Sequence, residues 1–156
     1  MTSVAGRITG LQRSAGGVPK LSVERVRVNV SGMEGDRQAN RKYHGGLDRA
    51  LCLYAQDRLD ALVAEGHPVG RGALGENVTI AGLAWESVQP GARLHLGAVE
   101  VEVTAYAPPC KTIGQAFKGR AFTRVSQVVN PGWSRVYVRI LVQGELAVGN
   151  AVTLAP

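Results

Sequence analysis

Apolar and polar residues alternate over many short stretches of this chain and follow a helical spacing clearly only once. Val26-Arg27-Val28-Asn29-Val30 has a period of two. So does 99–106, where Val99, Val101 and Val103 share one face and Glu100, Glu102 and Thr104 the other. That is the pattern of strands with one buried side. It predicts strands over 4–11, 23–30, 47–54, 78–80, 93–96, 99–106 and 135–142, with two brief pieces at 146–148 and 151–154 around Gly149-Asn150. His95 alternates with Leu94 and Leu96 and is expected to point away from the core. The helical spacing lies over 56–65, with Leu59, Leu62 and Val63 in phase and Gly66 where a C-cap belongs. His67, between that cap and Pro68, is expected at the surface. Loops or short helices are expected over 112–119 and 122–129, the second ended by Asn130-Pro131-Gly132. The pattern predicts a mainly β protein: a closed or nearly closed β-barrel with a few short helices at its rim. Closure would also protect the strand edges.

Composition narrows this picture. At 156 residues and 45% hydrophobic, the chain suits a single domain over 1–156 with a real core. A net charge of +6 favours anionic partners. The basic residues form no run of five or six and are not interleaved with aromatics, which argues against a general nucleic-acid surface. A pocket for a phosphorylated small molecule uses the same charge equally well. Cys52 lies in the apolar run Ala50-Leu51-Cys52-Leu53-Tyr54 and reads as core. Two cysteines without a secretory leader do not suggest a disulfide framework. No stretch approaches the roughly 20 apolar residues of a membrane span, so a soluble, cytoplasmic protein is expected.

Three stretches carry candidate chemistry. In Tyr106-Ala107-Pro108-Pro109-Cys110-Lys111 a strand stops at two prolines, which fix φ and lack backbone donors. Cys110 is thereby placed on a stiff corner. Lys111 beside it would favour the thiolate, and the bland alternative is a buried, inert thiol. The stretch 32–46 is polar, glycine-rich and long for a loop in a small domain. It brings Asp36, Arg37, Arg41, Lys42 and His44 close in sequence, and Gly45 and Gly46 could turn their amides toward an anion. The alternative is a solvated charged loop. The glycine-rich stretch 70–77 fits neither a P-loop nor a dinucleotide fingerprint. Its Glu76 and Asn77 could hold a ligand or tie a turn.

Glu34-Gly35-Asp36-Arg37 leading to His44-Gly45-Gly46, then Gly72-Ala73-Leu74-Gly75-Glu76-Asn77-Val78-Thr79 followed by Gly91-Ala92-Arg93-Leu94, then Pro108-Pro109-Cys110-Lys111, occur here in order. Together they resemble the MOSC domain, the molybdenum cofactor sulfurase C-terminal domain, in its small stand-alone bacterial form. The resemblance runs over about 6–154. It implies a β-rich barrel and a family cysteine at Cys110, as the ligand of a molybdenum atom or as a sulfur carrier. It also implies an anionic pterin-phosphate, the molybdenum cofactor (molybdopterin), in a basic cleft. Two departures stand out: Gly149-Asn150 where a Gly-Asp turn is usual, and Trp133-Ser134-Arg135-Val136-Tyr137 where a glycine near the tyrosine is usual. The pyridoxal phosphate chemistry associated with the wider family needs an aminotransferase-like domain with a pyridoxal lysine, and neither that nor an electron-transfer domain is read here.

On this resemblance Cys110 would be metal ligand and catalytic residue. Arg37, Arg41, Lys42, His44, Gly45, Gly46 and Lys111 would surround the cofactor, and Glu76 and Asn77 would meet the pterin edge. The expected activity is oxygen-atom transfer, such as reduction of N-hydroxylated compounds, with electrons from a partner reductase. The alternative is a persulfide relay or cofactor-delivery protein, with Cys110 taking sulfur from a donor such as a cysteine desulfurase.

Overall fold

A computed structural model describes residues 4–36 and 47–155. Its strands are β1 (Val4–Arg13), β2 (Leu21–Val23), β3 (Arg25–Asn29), β4 (Gly32–Met33), β5 (Leu51–Ala55), β6 (Val78–Ala81), β7 (Arg93–Leu96), β8 (Val99–Tyr106), β9 (Val136–Val142), β10 (Gly144–Ala147) and β11 (Ala151–Leu154). Hydrogen-bonded neighbours run β11-β7-β8-β9-β5-β6-β1, and β11 also pairs with β1, so seven strands close into a barrel. β2 is appended to β1, and β10, β3 and β4 make a small second sheet. The mainly β barrel read from the alternation is therefore the observed fold.

Among the described residues, one parallel strand contact explains the one α-helix. β5 and β6 run in the same direction, Leu53 opposite Val78 and Ala55 opposite Ile80. A parallel pair needs a crossover, and α1 (Gln56–Ala64) supplies it. The helix buries Leu59 and Leu62. It ends in a Schellman motif: Gly66, at φ +96°, donates to the Val63 carbonyl and His67 N–H to the Leu62 carbonyl.

The interior follows the alternation. Val99, Val101 and Val103 of β8 and Val136 and Val138 of β9 are buried, with Ile8, Leu11, Leu51, Leu53, Ile80, Leu94, Leu96 and Val152. His95 is exposed, as its register predicts. Among the described residues no helix is long and apolar enough to cross a membrane.

Some boundaries differ from the sequence reading. The strand expected over 23–30 is divided at Glu24, because β2 pairs with β1 whereas β3 pairs with β10 in the other sheet. Residues Leu47–Arg49 form a 3-10 turn instead of the start of a strand. Thr104 Oγ1 donates to the Asp48 carbonyl there, and the ladder to β9 begins with Ala50 N–H on the Val138 carbonyl. The segments after Cys110 are 3-10 turns over Lys111–Ala116, Lys118–Arg120 and Phe122–Val125. His67 is half-buried rather than fully at the surface. Its Nδ1 accepts the Lys118 N–H at 3.1 Å, and its ring meets Phe117 edge-on. At the Gly149-Asn150 turn the asparagine serves in place of aspartate: its Oδ1 accepts the Ala147 N–H at 2.8 Å.

Candidate functional site

Cys110 follows the last residues of β8 on the corner Ala107-Pro108-Pro109 and opens the turn Lys111–Ala116. It is half-buried, whereas Cys52 is sealed. The bland reading, an inert core thiol, thus describes Cys52. That residue lies between Leu51 and Leu53, which face the main core, and packs instead with Ala107 and Tyr137 in a separate small cluster. Burial pushes its thiol up to about 11, opposed by the charge of Arg135. Lys111 is exposed beside Cys110.

The corner is gripped by Arg135, the residue just before β9. Its guanidinium is buried, and Nη1 donates to the Leu74 carbonyl at 2.8 Å. Nη2 donates to the carbonyls of Ala107 at 3.3 Å and Pro108 at 3.2 Å. The Arg135 carbonyl in turn accepts the Ala107 N–H at 2.9 Å. One side chain therefore joins the glycine-rich stretch 70–77 to the corner that carries Cys110.

Glu76 and Asn77 lie inside this junction, both fully buried. Asn77 ties three strands together. Its Oδ1 accepts the Cys52 N–H at 3.0 Å and its Nδ2 donates to the Gln12 carbonyl at 3.3 Å, while its backbone N–H donates to the Cys52 carbonyl. Glu76 Oε1 accepts the Leu74 N–H at 3.2 Å. Its Oε2 and Arg135 Nε are, among the described residues, the buried side-chain atoms without a hydrogen-bond partner. Desolvation raises the Glu76 carboxyl to about 7, although nearby backbone amides and Arg135 pull it the other way. The bonds of Asn77 tie strands together, and the Glu76 bond to the Leu74 N–H closes a turn.

Arg37, Arg41, Lys42, His44, Gly45 and Gly46 lie outside the described residues. The two ends of their segment are placed, and both adjoin this junction. On one side Asp36 accepts Lys20 Nζ at 2.6 Å and Ser14 N–H at 3.0 Å, an ion pair whose side chains are 4% and 5% exposed. On the other, the Arg49 guanidinium lies 5.1 Å from the centre of the Tyr137 ring. Tyr137 lies opposite Cys52 across the β5–β9 ladder and packs with it. Burial drives its hydroxyl up to about 12; the charges of Cys52 and Cys110 add to the rise, and those of Arg135 and Arg49 oppose it.

Sequence reasoning missed Arg135, Lys20, Arg49 and Tyr137. Two of them were visible only as a departure from the family pattern, since Arg135 and Tyr137 fall in the stretch that lacks its usual glycine. Lys20 was hidden in a loop, because nothing local shows that a lysine will be buried by an aspartate 16 positions later.

The MOSC domain model matches residues 40–153. YflK of Bacillus subtilis is 32% identical over 117 residues, which are 74% of this chain and 52% of that protein. YiiM of Escherichia coli is 33% identical over 90 residues, 55% of this chain and 40% of that protein. The chain thus spans about half or less of the length of the curated relatives it matches. Among solved structures, YuaD of Bacillus subtilis superposes with a TM-score of 0.76 at 14% identity, covering 98% of this chain and 97% of that one. YiiM of Escherichia coli gives 0.68 at 21% identity, covering 96% and 70%. These two likenesses show the fold alone, and it is the match over 40–153 that establishes descent: the chain belongs to the MOSC-domain family.

Proposed function

We propose that this MOSC-domain protein binds molybdenum cofactor with the Cys110 thiolate as the metal's protein ligand. In this reading it is the oxidoreductase component that reduces N-hydroxylated compounds with electrons from a partner reductase. The observation that carries the reading is the placement of Cys110: a half-buried sulfur on a corner without backbone donors at its prolines, held by a buried arginine.

The residues fit such a group. A thiolate is a soft ligand that suits a soft-liganded transition metal. Among the described residues no three His, Cys, Asp or Glu side chains gather around a possible ion. In this reading the Cys110 sulfur would hold the metal and the cofactor would supply further ligands. When bound, the cofactor would supply two-electron oxygen-atom chemistry. Arg37, Arg41, Lys42 and His44, on the segment between Asp36 and Leu47, are proposed to meet its phosphate, with the amides of Gly45 and Gly46; arginine suits phosphate because its fork binds two oxygens. Lys111 adds charge at the rim. Asn77 and Glu76 are fully buried in the packing beside Arg135.

The test is metal content. Protein purified from a molybdenum-replete host is compared with Cys110→Ala by elemental mass spectrometry. Molybdenum in the wild type and its loss in the variant are expected; a wild type free of molybdenum, or equal amounts in both, overturns the proposal. The partial exposure of Cys110 also admits the persulfide relay. That reading predicts a sulfur-sized mass gain after incubation with a cysteine desulfurase, absent in Cys110→Ser.

A further inference from the structure

The corner that presents Cys110 has few ways to hold its shape. Pro108 and Pro109 have no N–H, so a neighbouring strand cannot bond the chain there through their amides. β8 leaves the ladder at Tyr106, opposite Val136, and the turn beyond starts only when Ile113 N–H reaches the Cys110 carbonyl at 3.1 Å. Between those points the described bonds to the corner converge on two adjacent residues. Ser134 Oγ approaches the Ala107 carbonyl at 3.4 Å, and all the others come from Arg135: its carbonyl on Ala107 N–H, and its Nη2 on the carbonyls of Ala107 and Pro108. Prolines limit φ, but they do not choose where the corner sits. A fork bonded to both carbonyls does, because its planar donors have a fixed geometry. The other arm, on Leu74, refers that position to the loop after α1 rather than to β8 itself.

We infer that Arg135 is the positioning residue for Cys110, clamping the Ala107–Pro108 carbonyls so that the sulfur is held half-exposed at a fixed place. This deepens the reading above, since Cys110 is the residue positioned, but its test involves no metal. A failure of the molybdenum assay and a failure of this inference are therefore separate results.

The probe is iodoacetamide, and the readout is the rate of Cys110 alkylation in the folded protein by intact mass. Cys52 is sealed and serves as the unreactive internal control; Cys110→Ser confirms the site. Arg135→Met removes the clamp. Local opening then governs access, and alkylation is expected to quicken by at least about fivefold. Arg135→Lys restores a buried cation that can reach a carbonyl singly, and it should fall between Met and wild type. Pro108→Gly loosens the corner yet keeps both carbonyls for the guanidinium, so its rate should stay within about twofold of wild type. Wild-type rates in folded Arg135→Met overturn the inference. So does a Pro108→Gly protein that alkylates as fast as Arg135→Met is expected to, since the proline would then be the positioning element. This second result can be read even if Arg135→Met does not fold.

Discussion

Glu76 is the residue whose chemistry is most altered by the fold. Desolvation raises its carboxyl from the usual 4.5 to about 7, so between those values the folded protein holds a proton that the unfolded chain releases. Stability must then fall as pH rises from about 4.5 to about 7 and level off above, because the native state binds the extra proton. The penalty at alkaline pH is on the order of 3 kcal/mol at full strength. Glu76→Gln keeps an oxygen for the Leu74 N–H and cannot ionise. Urea midpoints at pH 5 and pH 8 should therefore differ less in Glu76→Gln than in wild type, with the gain at pH 8. An unchanged difference would mean that another acid carries the effect. At this scale the sequence was informative about kinds of residue and silent about their state. Cys110, Glu76 and Asn77 were legible from prolines and glycines beside them. That Asn77 would tie β1 to β5, and that Arg135 would turn inward at the start of an alternating strand, depends on partners 65 and 61 positions away. No local pattern encodes those partners.

At the level of elements, the stretch 70–77 is where glycine content becomes a packing requirement. Gly72 has φ +84°, and a Cβ there would fall 2.1 Å from the Lys20 carbonyl, which belongs to a segment that also donates its Lys20 N–H to the Gly72 carbonyl. Gly91 has φ +94° with nothing within 4 Å of such a Cβ. The two positions separate conformational strain from collision. Gly91→Ala should cost about 1–2 kcal/mol, the left-handed backbone penalty alone. Gly72→Ala should cost clearly more than that, since two backbones must part and the Lys20–Asp36 ion pair lies on the displaced segment. Equal urea midpoints for the two variants would show that the loop yields freely. The sequence disclosed this loop and the helix before it, because glycine spacing and a 3.6 period are local signals. It disclosed the 3-10 turns only as ambiguous, since three to six residues are too few to show a period. It could not divide 23–30, because that break follows from which strand each half joins.

For the whole molecule the decisive feature is that β11 closes the ring. Val152 lies opposite Gly6 of β1 and Leu96 of β7, and its side chain is fully buried. A strand bonded on both sides has no free edge at which a proline can sit, so Val152→Pro removes a ladder bond, forces the two neighbours apart and exposes core; the expected cost is about 3 kcal/mol or more. Ser22 of β2 offers the contrast. It lies opposite Gln12 in a strand appended to β1, outside the ring, and it is exposed. Ser22→Pro should cost much less, and where its N–H faces solvent, little. If the ring is the cooperative unit, Val152→Pro should lower the midpoint of the whole transition and loosen Cys110 along with it, since β8, which ends at the cysteine corner, is two neighbours from β11 through β7. Chemical denaturation followed by tryptophan fluorescence and by iodoacetamide access to Cys52 checks this. Coincident curves at a lowered midpoint are expected, whereas a Val152→Pro protein as stable as Ser22→Pro would mean that the barrel does not depend on its closing strand.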